Sequence, residues 1–412
     1  MRVLLVGSGG REHALGWKLA MSARVDELIS LPGNPGLAEL GPVVEGIATT
    51  DVGAIAAMAR IQGVDLVVVG PEAPLAAGVV DAVSRLGIPV FGPNRAAARL
   101  ESSKAFAKEI MQRAGVATAD SASFTDPVTA HRHLDVMEGP YVVKADGLAA
   151  GKGVLVTDSR GEAAAWVDRC LEGGFGDAGS SVLIEEFLEG PEVSVFAVCT
   201  EHGARPLAPA RDYKRLLDGD IGPNTGGMGS YSPVEGLPTD LLDQVMTQVI
   251  APTLGQMSEM GSPFSGFLYA GLVLSPTGPQ VLEFNVRLGD PETQAVLPRL
   301  ESDLIEVLEG ATPVWSDIAT VNVVLAARGY PEAAVAGDAI KGLEAVGENV
   351  LVFHSGTRQD GKRLVVDGGR VLNLVGVGSS IGQARERAYE AVADVHWPGV
   401  QFRTDIAGDA QS

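Results

Sequence analysis

Glu283, Asn285 and Arg287 stand two residues apart in the run Glu283-Phe284-Asn285-Val286-Arg287-Leu288-Gly289-Asp290-Pro291-Glu292. Residues i, i+2 and i+4 of a strand share a face, so a carboxylate, an amide oxygen and a guanidinium project together. The two oxygens are hard ligands suited to Mg²⁺, which takes few protein ligands and fills its octahedron with waters and phosphate oxygens. Arg287 beside them can pair with a phosphoryl or carboxylate group through its planar fork. A plain Glu283–Arg287 ion pair is the competing reading, but it accounts for neither Asn285 nor the polar run to Glu292.

A second stretch, Tyr141 to Val156, is built to meet an anion. Two β-branched runs flank a loop containing Gly147, Gly151 and Gly153, whose backbone can approach a ligand without Cβ interference. Successive N–H groups would point at anionic oxygens, and Lys144 and Lys152 add charge at either end. It is not a Walker loop: three residues rather than four separate Gly147 from Gly151, Gly153 stands where Ser or Thr should follow the lysine, and a strand follows. A ligand-free glycine-rich hairpin is the alternative, since such turns are common between strands. Glu185-Glu186-Phe187-Leu188 and Glu192 close and reopen strands in a way that suits an adenine hinge with a ribose-binding carboxylate. Charged strand ends are usually only solvated, so this segment is ambiguous alone. Arg211-Asp212-Tyr213-Lys214-Arg215 is a local cationic cluster, and the glycine-rich Asn224 to Gly229 loop follows it; together they could hold an anionic substrate, or be a solvated polar loop.

The elements that must position these residues read as several domains. Val3 to Val6 is a buried strand, Gly7-Ser8-Gly9-Gly10 a turn, and Arg11 to Ala23 a helix with an apolar stripe at Ala14, Leu15, Leu19 and Ala20. Strands at Leu28 to Leu31, Leu66 to Val69 and Ile88 to Phe91 alternate with helices near Asp51 to Ile61 and Pro74 to Leu86, implying a parallel, Rossmann-like sheet over residues 1–100. Glu12 at the third glycine position weakens a dinucleotide reading, while Pro32 to Asn34 and Gly70 to Glu72 lie at strand ends where ligand loops occur. Ser102 is the expected N-cap of a helix to Ala114 that carries Lys104 on its first turn. A hairpin, Gly266 to Leu274 and Gln280 to Phe284, leads into the Glu283 run. From about residue 320 a small α+β cap follows, in which no residue has a catalytic spacing, His354 and His396 read as structural, and the tail after Ile406 should fray.

With 31 basic and 52 acidic residues the chain carries −21, which argues against a nucleic-acid or anionic-membrane surface. Cys170 and Cys199 have no metal-ligand spacing and read as buried hydrophobes in a reducing compartment. No apolar run approaches the ~18 residues of a membrane span, so the expected location is the cytoplasm.

Taken together, the lysines, glycine loop, glutamate hinge and Glu-x-Asn pair resemble the ATP-grasp ligases. Longer motifs narrow the match: Gly-Gly-Arg-Glu-His at 9–13, Lys-Ala-Asp-Gly-Leu-Ala-Ala-Gly-Lys-Gly-Val at 144–154, Pro-Asn-Thr-Gly-Gly-Met-Gly at 223–229, Glu-Phe-Asn-Val-Arg at 283–287, Gly-Asp-Pro-Glu-Thr-Gln at 289–294 and Gly-Gly-Arg-Val-Leu at 368–372. In order and across essentially the whole chain, they resemble the phosphoribosylamine–glycine ligase family. The resemblance implies an α/β and α+β multidomain fold: a Rossmann-like domain over 1–100, an ATP-grasp core over 101–310 with a lid at about 118–190, and a C-terminal α+β domain over 320–407. It implies ATP as substrate, Mg²⁺ or Mn²⁺ as cofactor, and ligation of glycine to 5-phospho-β-D-ribosylamine in purine biosynthesis by a monomer or weak homodimer. Lys104, Lys144 and the loop Gly147, Gly151, Lys152, Gly153 and Val154 would hold the nucleotide phosphates. Glu185, Glu186, Phe187 and Leu188 would hold the adenine, Glu192 the ribose, and Glu283 and Asn285 the metal. Arg287 would steady the transferred phosphoryl group, with Lys144, Asp212 and Lys214 also catalytic. Asp212, Lys214, Asn224, Thr225, Gly226, Gly227, Met228, Asp290, Pro291 and Glu292 would line the pocket for glycine and ribosylamine, with Gly9, Gly10, Gly33 and Asn34 contributing. Tyr213 stands where the family commonly has His, and Leu288 where it commonly has Phe, so no proton transfer is assigned to position 213. Another ATP-grasp carboxylate–amine ligase would differ at 211–228, and a non-catalytic ATP-binding module would have no need of the 283, 285 and 287 triplet.

Overall fold

Four short apolar strands, Glu27–Pro32, Arg2–Gly7, Leu66–Val69 and Val90–Phe91, lie in that order and all in parallel, with Val3 to Val6 fully buried. A computed structural model supplies this structure, which describes residues 1–148 and 153–411. The helix Gly10–Ala20 packs Ala14, Leu15 and Leu19 onto the sheet, and its first turn is closed by Glu12, whose Oε2 accepts from Gly9 N at 2.7 Å. A Cβ at Gly7 or Gly70 would lie 2.2 or 2.3 Å from that Glu12 side chain. A carboxylate thus fills the space above the turn, where a dinucleotide would place its pyrophosphate. The helix expected over Pro74 to Leu86 is two helices, Glu72–Ala77 and Val79–Ser84, because Gly78 between them adopts φ 96°.

Among the described residues, three further main sheets follow. Ser121–Phe124, Val182–Glu186, Tyr141–Ala145 and Val154–Thr157 form an antiparallel sheet with its own small core, where the helices Pro127–Val136 and Arg160–Arg169 bury Ala130, Leu134 and Val167 against Val143 and Ile184. Gly203–Pro206, Glu192–Thr200, Gly266–Ser275 and Gly278–Asn285 form the central antiparallel sheet. Its apolar faces run into the parallel sheet without a break, and Phe91 meets Phe267 edge-on at 4.8 Å. The last sheet orders Arg211–Asp212, Gly229–Ser232, Ala319–Ala326, Arg370–Gly378 and Val350–His354, so strands from the middle of the chain complete the sheet of its C-terminal part. The helix Ile381–Asp394 covers it so closely that a Cβ at Gly376 would fall 2.0 Å from Ala384 O.

Two expectations need correction. Ser102 ends a short helix, Arg99–Ser102, and Ser103 is the N-cap of Lys104–Ala114, its Oγ accepting from Phe106 N at 3.2 Å. The start of the tail after Ile406 is held rather than frayed: Ala407 is fully buried, and Asp409 accepts hydrogen bonds from Arg211 and Tyr213. Its partners lie about two hundred residues upstream, beyond the reach of local reading. Cys170 and Cys199 are free and buried, and burial pushes their thiols up to about 11 and about 12.

Candidate active site

Glu283 and Asn285 stand on the strand Gly278–Asn285, opposite Gly271 and Tyr269, on the face away from the buried Val281 and Phe284. Burial pushes the Glu283 carboxyl up, but Lys214, Lys144, Lys104 and Arg287 outweigh it and hold the group below the usual carboxylate range. The strand is ended by Glu101, which accepts from Val286 N at 2.8 Å. Arg287 shares the face only in part. Its Nη2 donates to Asn285 Oδ1 at 3.1 Å and to Glu101 Oε1 at 2.7 Å, and its Nε to Glu72 Oε2 at 3.2 Å. Its ion pairs are therefore with Glu72 and Glu101, not with Glu283. Burial would raise Glu72, yet Arg287 and Arg11 hold it down at about 2; Glu101, the more deeply buried of the two, is pushed up to about 7 by burial against the pull of Arg287.

On one side of Glu283 lie the cations of the second sheet and its neighbouring helix. Lys144 Nζ is 2.7 Å from Glu185 Oε2 and donates to Leu282 O at 3.1 Å, while Lys108 Nζ lies 3.2 Å from Glu185 Oε1. The Glu185 carboxylate is thus a buried counter-ion facing inward, while Glu186, Phe187 and Leu188, which follow it in the chain, keep contact with solvent. Lys104 Nζ reaches Gly147 O at 2.9 Å, and Asp146 fastens the start of the loop by accepting from Ala105 N and Ser181 Oγ. Burial lowers the Lys104 pKa. Gly153 O accepts from Ala145 N at 2.8 Å and Val154 pairs with Lys144, whereas Gly151 and Lys152 lie outside the described residues.

On the other side Lys214 Nζ lies 2.5 Å from Glu192 Oε2 and 3.7 Å from Asp212 Oδ1. Burial works against the Lys214 cation, but Asp212 and Glu192 raise it well above the ordinary lysine value. Asp212 is itself raised by burial, with Glu192 and Glu283 adding to that against Lys214. Ser194 Oγ bridges Tyr269 OH at 3.0 Å and Glu292 Oε1 at 3.2 Å, and burial followed by Asp212 pushes Glu292 up to about 7. Carboxylates sharing one lysine in a half-enclosed space are suited to an additional ammonium.

The Asn224 to Gly229 segment folds back on this group. Thr225 Oγ1 donates to Lys214 O and accepts from Gly227 N, and Gly227 (φ 107°) passes so near Pro291 that a Cβ would fall 2.3 Å from its Cδ. Asn224 pairs with Arg215 across a small hairpin. Met228 is fully buried, with N–H and C=O bound to Tyr213 and Val324, so it supports the segment from beneath. Asp290 Oδ2 and O accept from Arg370 at 2.9 and 2.6 Å, and Arg370 also bonds Gly226 O. A Cβ at Gly10 would meet Asn373 Nδ2, Ser355 Oγ and Gln294 Nε2 at 2.4, 2.5 and 2.7 Å, while Gly9 sits over Glu12. Gly33 takes φ 69°, and Asn34 caps Leu37 N and ties Ser8 O to His354 O, so its amide joins two domains.

Sequence reading missed Glu101, Lys108, Tyr269 and the C-terminal Arg370 and Asn373. Lys108 stands at i+4 from Lys104 on one helix, a signal that was available. Nothing local marks Arg370, although it lies within Gly-Gly-Arg-Val-Leu: it has no catalytic spacing in the sequence, and only the fold brings it to Asp290 and Gly226.

Family models described as the N, ATP-grasp (A) and C domains of phosphoribosylglycinamide synthetase match residues 1–101, 102–293 and 320–409. A phosphoribosylamine–glycine ligase of Streptomyces coelicolor is 49% identical over 423 residues, covering 100% of this chain and 99% of the relative. The chain belongs to the phosphoribosylamine–glycine ligase family. Another member, from Caulobacter vibrioides, is 47% identical, covering 98% of this chain and 97% of its own. The crystal structure of the Thermotoga maritima member superposes with a TM-score of 0.87 at 37% identity, covering 99% of this chain and 100% of that one. A Campylobacter jejuni biotin carboxylase superposes with a TM-score of 0.75 at 16% identity, covering 97% and 92%, and so shares the ATP-grasp fold alone. Within the phosphoribosylamine–glycine ligase family, then, this member has a Rossmann-like N-terminal domain, an ATP-grasp core and a C-terminal α+β domain.

Proposed function

We propose that the chain uses ATP to join glycine to 5-phosphoribosylamine, giving glycinamide ribonucleotide, ADP and phosphate. The observation that carries this reading is the place of Glu283, which feels Lys104 and Lys144 from the nucleotide-binding side and Lys214 from the pocket shared by Asp212, Glu192 and Glu292. Lysines suited to phosphates and a cluster of carboxylates around Lys214 both act on one carboxylate, as transfer between their occupants requires. A carboxylate is a poor electrophile. The γ-phosphoryl group therefore passes first to a glycine carboxylate oxygen, releasing ADP. The ribosylamine nitrogen then attacks the acyl carbon, phosphate leaves with that oxygen, and the amine gives up one proton.

Lys104 and Lys144 would bind the phosphates and neutralise charge as it moves. Asp212 and Glu292 would hold the glycine ammonium, with Lys214 limiting their mutual repulsion. Arg287, anchored by Glu72 and Glu101, would orient the acceptor carboxylate or the γ-phosphoryl group. Glu283 and Asn285 fit Mg²⁺ or Mn²⁺, being hard oxygen donors of which one is held ionised. The cation, when bound, supplies charge neutralisation on the phosphates.

ADP release measured with each substrate in turn tests the reading. Turnover that needs both glycine and freshly generated ribosylamine supports it. Turnover with a different carboxylate or amine would favour another ATP-grasp ligase, and binding without turnover a non-catalytic module.

A further inference from the structure

The tail that returns after Trp397 grips the back of the segment carrying Asp212 and Lys214. Arg403 is buried; its Nη1 donates to Asp220 Oδ1 at 2.6 Å and Arg215 O at 3.2 Å, and its guanidinium lies 4.8 Å from the centre of the Tyr213 ring. Thr404 N donates to Asp218 Oδ1 at 2.8 Å, and Gly219 N to Asp405 Oδ2 at 2.8 Å. Further on, Tyr213 OH accepts from Ala407 N at 2.9 Å and donates to Asp409 Oδ1 at 2.7 Å, while Arg211 Nη1 donates to Asp409 Oδ2 at 2.6 Å. Neighbouring residues of an extended chain face opposite ways, so Arg211 and Tyr213 meet the tail while Asp212 and Lys214 meet the pocket. The Tyr213 backbone completes the link: its N–H and C=O bond Gly229 O and Met228 N, and Lys214 O accepts from Thr225 N.

We propose that residues 403–409 form a strap that positions the acceptor pocket, with Asp409, acting through Tyr213 and Arg211, setting where Asp212 and Lys214 stand against Glu192. The proposal rests on the reading of that pocket given above. Asp409 and Tyr213 are positioning residues: Asp409 bonds Tyr213 and Arg211, and Tyr213 lies in the segment beside Asp212 and Lys214 rather than at Lys104, Lys144 or Glu283. Burial, reinforced by Asp409, holds the Tyr213 phenol above its ordinary value, so it remains the hydrogen-bond donor.

The test compares the wild-type protein with Asp409→Ala, Asp409→Asn, Tyr213→Phe and the Asp409→Ala/Tyr213→Phe pair, in steady-state assays and by hydrogen exchange. Losing a charge-assisted hydrogen bond should raise the KM for glycine or ribosylamine about tenfold, with kcat and the KM for ATP within about threefold. Asp409→Asn, which keeps the acceptor and loses the charge, should fall between wild type and Asp409→Ala. The double variant should cost less than the sum of the two single ones, since both break the Tyr213–Asp409 bond while each also loses a contact of its own. Exchange at the Tyr213, Thr225 and Met228 amides should quicken. Unchanged KM values and exchange in an active enzyme would overturn the strap, as would a parallel fall in melting temperature and ATP affinity, the mark of a merely structural role. If wild type turned over neither substrate, the pocket reading would fail instead, and the exchange rates alone would decide whether the strap holds the segment.

Discussion

Glu283 sits between two groups of cations, and single substitutions around it should separate their roles. Glu283→Ala and Asn285→Ala are each expected to lower turnover ~100-fold or more at ordinary Mg²⁺ while leaving the melting temperature close to that of wild type, since on the proposed reading each would remove a metal ligand from a phosphoryl-transfer site. Near-normal turnover in either would remove the metal assignment. Glu292 makes a different prediction, in pH. Its folded-state pKa of about 7 lies above the ordinary 4.5, so the neutral group is favoured in the fold. Any stability it confers is complete below about 4.5 and is lost as pH rises through about 7. Glu292→Gln keeps a neutral acceptor for Ser194 and cannot ionise, so it should gain on wild type by ~1 kcal/mol or more between pH 5 and pH 8 in denaturant unfolding. An equal difference at both pH values would show that Glu292 is already ionised at pH 5.

Elements aim these side chains, and their ends matter most. The helix Lys104–Ala114 presents Lys104 and Lys108 one turn apart, and its start is fixed by Ser103 and by Asp146. Ser103→Ala should cost ~1 kcal/mol of stability through the lost cap and raise the KM for ATP by loosening Lys104. A variant with wild-type unfolding midpoint and ATP affinity would show that Asp146 alone holds the turn. Much of this level was legible in the sequence. The parallel strands and the hairpin into Glu283 follow from period and β-branching. The break at Gly78 was not, because a glycine inside an apolar helical pattern gives no notice of φ 96°. Nor was the inward turn of Glu185, which depends on two lysines that only the folded chain brings beneath it.

At the scale of the molecule, the pocket is assembled from distant parts. The turn at Gly10, the 211–228 segment, Asp290 and Arg370 meet because strands from the middle of the chain join the C-terminal sheet. Sequence motifs located these pieces but not their pairing, since long-range contacts between polar loops leave no periodic trace. On the proposed reading, glycine is activated as an acyl phosphate beside the nucleotide. Glycine labelled with ¹⁸O in its carboxylate therefore discriminates most directly. Complete turnover followed by mass spectrometry should find one glycine-derived oxygen in each released phosphate. Unlabelled phosphate, with the label wholly retained in the ligated product, would mean that ATP activates another group and would exclude a glycyl acyl phosphate even if the product were the expected one.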